Sequence, residues 1–257
     1  MTEALEQVVS RAPEISIRAE ELFRIGSFPM TNAVMLSLFS FGILAATGLL
    51  FSRRIKAAPG PFQNLVEFAF GSMLDFVDTI LHNREKTEKY FPLIATVFFF
   101  VLVSNWLGLL PGVGSLVLTV VHEGKTVTAP LLRSPASDLN FTIALALIAV
   151  FSVNFFGVAA IGAVKHAGKF FTLKSPIDFF VGILEFISEI ARLISFSFRL
   201  FGNVFAGEVL LTVIVFLVPY FIPLPFLMLE VFVGFIQAFV FAMLITVFLG
   251  IATAEQH

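Results

Sequence analysis

Residues 139–164 read LNFTIALALIAVFSVNFFGVAAIGAV and contain no Asp, Glu, Lys or Arg. A helix needs about 20 apolar residues to cross the ~30 Å hydrocarbon core of a bilayer, and this stretch is longer. A strand of a membrane barrel would instead alternate in polarity over about 10 residues, and no such alternation is present. Outward from this segment the pattern repeats. Residues 25–52, 90–121, 209–229 and 231–254 are equally free of those four residue types. The expected fold class is an all-α integral membrane protein with about five membrane-embedded helices.

Composition points the same way. The chain has 257 residues, 58% hydrophobic and 13% charged, with 34 Phe. A soluble domain carries about 25% charged residues. The 16 Lys and Arg against 18 Asp and Glu form no basic excess, so nucleic acid is not an expected partner. There is no Cys, which removes disulfides and thiolate metal sites. No His, Asp and Glu set has metal-ligand spacing and no Gly-rich loop is built for phosphate, so neither a metal nor a cofactor is expected. Residues 1–24 are acidic-leaning and lack an apolar core, so no cleavable signal peptide is expected.

The chain reads as one membrane domain. Its expected parts are an N-terminal outer segment (1–27), a first span (28–52), a surface helix (60–88), a helical hairpin (90–112 and 139–164) and a longer hairpin (176–218 and 224–254). The surface helix opens at Pro59-Gly60-Pro61, a reversal followed by a proline suited to a helix start. Gln63, Glu67, Gly71, Asp75, Asp78 and His82 then share one face, and Leu65, Phe68, Phe76 and Leu81 lie opposite. Such a helix lies along a membrane surface rather than crossing it, or packs on other subunits. Between the outer ends, Thr126-Val127-Thr128 suits a small hairpin, and Pro219, Pro223 and Pro225 suit a reversal. Trp106 is expected to be a buried packing residue, and Asn154 to bond between helices. His122 and His166 are expected in loops.

Lys and Arg set the orientation. Nine of them (Arg53, Arg54, Lys56, Arg84, Lys86, Lys89, Lys165, Lys169 and Lys174) fall in loops on one side. Loop 122–138 on the other side has only Lys125 and Arg133, and residues 1–24 carry five Glu against three Arg. The N terminus is expected outside and the C terminus, His257, in the cytoplasm.

Charges inside an apolar stretch mark where function resides, because an intramembrane charge costs at least ~2.5–3.5 kcal/mol at a helix centre. From 178 to 207 the sequence is mostly apolar yet holds Glu185, Glu189, Arg192 and Arg199. At ~100° per residue, Glu185, Arg192, Arg199 and Asn203 form one stripe, whereas Glu208 points away from Arg199. Glu208 and Arg199 therefore address different neighbours. In the last helix Glu230 and Gln237 share a face, and Gln237 could hydrogen-bond a guanidinium across a helix contact.

The string Ser197-Phe198-Arg199-Leu200-Phe201-Gly202-Asn203-Val204-Phe205-Ala206-Gly207-Glu208 resembles the signature of subunit a of rotary F-type ATP synthases. The likeness extends to Glu185, Arg192, Gln237-Ala238-Phe239 and Asn105-Trp106-Leu107-Gly108 with Pro111. Pro135-Ala136-Ser137-Asp138-Leu139-Asn140 is similar to the start of that family's fourth helix. Together these cover roughly residues 28 to 257.

The resemblance implies a stator subunit with a long tilted hairpin pressed against a rotating ring of c subunits. Two half-channels would carry protons to and from the ring carboxylates, coupling ion flow to ATP synthesis. Arg199 would be the fixed charge between them, with Gln237 sharing its site. Glu208 and Glu230 would line the outer path, with Asn203, Asp138 and Asn140 beside it, and Glu185 and Arg192 would shape the inner exit or form a structural pair. The family often has His at one of the positions matching Glu208 and Glu230, so Glu at both is a departure. Implied partners are the c ring, the b subunits of the peripheral stalk, the remaining synthase subunits and the lipid bilayer. The implied location is a bacterial plasma membrane. The chain would translocate protons and bind no nucleotide. An independent transporter or channel, and a structural subunit of a respiratory complex, are the other classes that fit five spans.

Overall fold

A computed structural model describes residues 18–56, 59–110, 112–113, 117–122, 125–168, 176–218 and 220–254. Pro111, Lys169, Lys174, Pro219 and His257 lie outside the described residues, as do the side chains of His122 and His166. In chain order the elements are β1 (Glu21–Ile25), β2 (Phe28–Thr31), α1 (Asn32–Ser52), α2 (Pro61–Leu81), α3 (Arg84–Gly108), β3 (Val117–His122) and β4 (Lys125–Pro130). A 3-10 turn (Pro135–Ser137) follows, then α4 (Leu139–Ile161), α5 (Ala163–Gly168), α6 (Pro176–Leu217) and α7 (Pro223–Ala252). Five of these (α1, α3, α4, α6 and α7) are long and apolar enough to cross a membrane. The all-α membrane fold is as expected.

The boundaries follow from local chemistry. Thr31 caps α1, its side chain accepting from Val34 N. Asp138 caps α4 by accepting from Asn140 N, and Pro223 starts α7. The surface helix was expected to reach residue 88 but stops at Leu81. His82 takes a left-handed conformation (φ 49°) and Asn83 caps the next helix. Residues 84–88 therefore belong to α3, whose charged first turns project beyond the apolar span; counting only uncharged residues had cut that helix short. Its far end falls at Gly108 rather than 112, where a Cβ would lie 2.7 Å from Ser134 Cβ. Gly162, at φ +87°, ends α4 before 164.

Polar residues of α2 bond within the chain, although Glu67 and Asp75 stay exposed. Gln63 Oε1 accepts from Lys56 N and its Nε2 donates to Glu67. Asp75 pairs with Arg84, and Asp78 accepts from the Thr87 hydroxyl. Phe62, Leu65 and Phe68 on the opposite face are exposed, an arrangement suited to lipid.

Helix α7 is the hub, packed by α2, α3, α4 and α6. Gly234, Ala238 and Ala242 are buried at intervals of one turn, which lets neighbouring backbones approach closely. Ile94 and Val101 of α3, Ala146 and Ala149 of α4, and Phe196 and Leu200 of α6 complete the core. Two hydrogen bonds from the end of α3 fasten this hub. Asn105 Nδ2 donates to Gly234 O (3.3 Å) and Trp106 Nε1 to Val231 O (3.0 Å). Trp106 is 41% exposed, so the expectation of burial was wrong: its ring faces outward while its N–H holds α7. Trp106→Phe is expected to lower the stability of the detergent-solubilised protein by about 1 kcal/mol, read by thermal unfolding.

The hairpin around Thr126-Val127-Thr128 forms as β3 paired antiparallel with β4. The β1–β2 hairpin was not anticipated; its turn contains Gly26 at φ +65°, and Gly26-Ser27 was the available signal. Asn154 donates to Val150 O in its own helix.

Candidate functional site

Helix α6 is 42 residues long, about 63 Å at 1.5 Å per residue. That is twice the hydrocarbon thickness, so it cannot stand perpendicular within a bilayer. Ser197 and Leu200 are buried on its inner side, and the Ser197 hydroxyl lies 3.1 Å from that of Thr142 on α4. Two residues beyond Ser197, Arg199 is exposed. Its Nη2 donates to Ser195 Oγ at 3.3 Å, within the same helix. Among the described residues Arg199 forms no ion pair, and no hydrogen bond joins it to the half-buried Gln237.

The two carboxylates behave differently. Glu208 of α6 and Glu230 of α7, the latter buried, line one cavity of about 220 Å³. Asn105, Arg133, Ser134 and Thr212 also line it. The Glu230 carboxylate lies over Gly207, filling the space that a Cβ there would need. Asn105 Oδ1 and Ser134 Oγ are buried without a protein partner. Unsatisfied polar atoms in a space of this size are suited to water.

Arg133 is the residue that sequence reasoning missed; it had been counted only as a loop charge. It is 8% exposed, and its Nε lies 3.0 Å from Glu208 Oε1 and 3.3 Å from Oε2. The signal was a lone charge inside the apolar run Leu131-Leu132-Arg133-Ser134-Pro135. Asn105 was quoted only as part of a motif, and its place on the cavity wall was equally unread.

The other expected site residues scatter. Asp138 is buried as the cap of α4, and Asn140 Nδ2 donates back to it (3.3 Å). Asn203 is exposed on α6. Arg192 pairs with Glu189 (2.7 Å) rather than with Glu185, and its guanidinium stacks over Phe248, 4.0 Å from the ring centroid. The i,i+3 spacing brings Glu189 within reach; Glu185 is two turns away. Among the described residues no group of His, Asp and Glu could hold a metal.

The family model described as ATP synthase A chain matches residues 34–250. A protein of Sulfurihydrogenibium sp. described as ATP synthase subunit a is 32% identical, over 89% of this chain and all of the relative. Another of that description, from Gloeobacter violaceus, is 37% identical over 84% of this chain and 81% of its own. A chloroplastic subunit a from Stigeoclonium helveticum is 33% identical over 95% and 94%.

Proposed function

The chain belongs to the ATP synthase A chain family, and from that premise we propose that it is the stator of a proton turbine. Protons reach the carboxylates of a rotating c ring through one half-channel and leave through another, coupling their flow to ATP synthesis. Arg199 carries this reading. A guanidinium near the midpoint of an apolar helix, exposed and with no ion pair among the described residues, calls for an anion from another chain. A ring carboxylate meets that need. The guanidinium keeps its proton, so it attracts each arriving carboxylate, favours its ionised form and blocks direct leakage between the half-channels. Gln237 of α7 would share the Arg199 site in this reading.

The cavity holding Glu208 and Glu230 is the outer half-channel in this reading, with water linking the carboxylates. Asp138 and Asn140 support its wall and Asn203 flanks the way to the ring. Glu185, Glu189 and Arg192 lie toward the inner exit. The sidedness is supported by end-to-end bonds. Lys86 Nζ donates to Thr253 O, joining the start of α3 to the end of α7. Asn32 Nδ2 donates to Pro130 O at the opposite end. By the basic-loop rule the first is the cytoplasmic end and the second the outside. The ring, the b subunits and the other synthase subunits are the partners, in a bacterial plasma membrane.

The test is passive proton conduction by the membrane sector in vesicles stripped of the catalytic domain. Glu230→Gln is expected to reduce the flux about 10²-fold, the scale of a lost proton-transfer group. Unchanged flux would remove Glu230 from the path.

A further inference from the structure

A buried arginine outside the family signature holds one of the two cavity carboxylates in place. Arg133 joins three parts of the chain. Its Nε donates to Ser137 Oγ at 3.1 Å and to Glu208 at 3.3 Å to Oε2, with Oε1 at 3.0 Å. Its Nη1 donates to Arg18 O at 3.2 Å. Ser137 Oγ in turn donates to Ser134 O at 2.9 Å, locking the turn that precedes α4. Arg133 therefore ties the N-terminal segment and the start of α4 to the carboxylate on α6.

We propose that Arg133 is a positioning residue of the proton path, fixing the Glu208 carboxylate against the wall of the cavity so that its free lone pairs face the interior. This rests on the reading of Glu208 as part of that path. A cavity of about 220 Å³ has room for several waters at ~30 Å³ each. A carboxylate on a flexible two-carbon stem would wander in it without an anchor. The anchor is charge-assisted and its cation is buried while Glu208 is half-buried, which makes the contact stronger than a pair exposed on both sides. Removing the side chain also releases Ser137 Oγ and Arg18 O, so the role in the path is the part of the effect that depends on Glu208, which the double variant isolates. Proton hand-over depends on geometry, and a displacement of about 1 Å in such a chain can cost up to ~10²-fold.

The experiment measures passive proton flux through the assembled membrane sector, normalised to the amount of this subunit in the membrane. The variants are Arg133→Gln, Arg133→Lys, Glu208→Gln and the double variant Arg133→Gln/Glu208→Gln. The expected result is a loss of about tenfold for Arg133→Gln and severalfold recovery for Arg133→Lys. Flux in the double variant is expected to be no lower than in Glu208→Gln alone. Wild-type flux in Arg133→Gln beside an impaired Glu208→Gln overturns the positioning role and leaves the proton path standing. Wild-type flux in Glu208→Gln overturns both. Equal loss in the Lys and Gln variants, or losses that multiply in the double variant, marks Arg133 as a structural pin and overturns the proposal. Absence of the subunit from the membrane in both Arg133→Gln and Arg133→Lys does the same.

Discussion

Arg199→Ala is expected to abolish ATP-driven proton pumping in inverted vesicles, a loss of at least about 10²-fold, with the subunit still present in the membrane. The structure explains why assembly should survive. Among the described residues the guanidinium bonds only Ser195 of its own helix, while the core contacts of this segment come from Phe196, Ser197 and Leu200. Truncation therefore leaves no buried group newly unsatisfied among the described residues. What disappears, in the stator reading, is the exposed positive charge that would draw a ring carboxylate out of its protonated state. Arg199→Lys is expected to recover little, because an ammonium can lose its proton in a low-dielectric site and a guanidinium does not. Normal coupled pumping by the Ala variant would sink the stator reading.

Gly207→Ala is the second large effect. A Cβ at this buried position would occupy the place of the Glu230 carboxylate. The obstructing atoms are the far end of a flexible side chain, so Glu230 can swing aside, and the stability loss should be modest, about 1 kcal/mol. The functional loss should be much larger. A displaced carboxylate no longer lines the cavity where Glu208 waits, and passive proton flux is expected to fall about tenfold or more. In a Glu230→Ala background the same substitution should change neither stability nor flux further. Persistent additional loss there would show that Gly207 serves helix packing and not the carboxylate.

How much of this was legible beforehand differs from residue to residue. The spans were, because an uncharged stretch of hydrocarbon-crossing length has few other uses. Helix ends were less so: α3 continues to Arg84 because its cap at Asn83 and its i,i+4 pair with Glu88 hold turns that lie beyond the apolar span. Glu208 and Glu230 belong to different helices, and only their packing around Gly207 brings them to one cavity. Arg133 was hidden for a different reason. Counted along the chain it is one more loop charge; its burial depends on the turn at Pro135–Ser137, which packs on α6, and on the backbone at Arg18. Glu185 and Arg192 shared a stripe, but a stripe does not choose partners, and Glu189 stood nearer.

The contact between Ser197 and Thr142 has a mechanical meaning. In the proposed stator, a rotor pushing tangentially on Arg199 would exert a torque about the long axis of α6, and a turn of the helix by one residue step, about 100°, would swing the guanidinium away from its target. The adjacent residue that resists this twist is Ser197, whose hydroxyl is joined to α4 through Thr142, with Leu200 wedged one turn later on the same buried side. The reaction load of each proposed step would thus pass sideways into α4 and, through its Asp138 cap, into the turn at Pro135–Ser137. A helix twice as long as a bilayer is thick can serve as a rigid track because it is keyed against rotation beside the point where it is pushed.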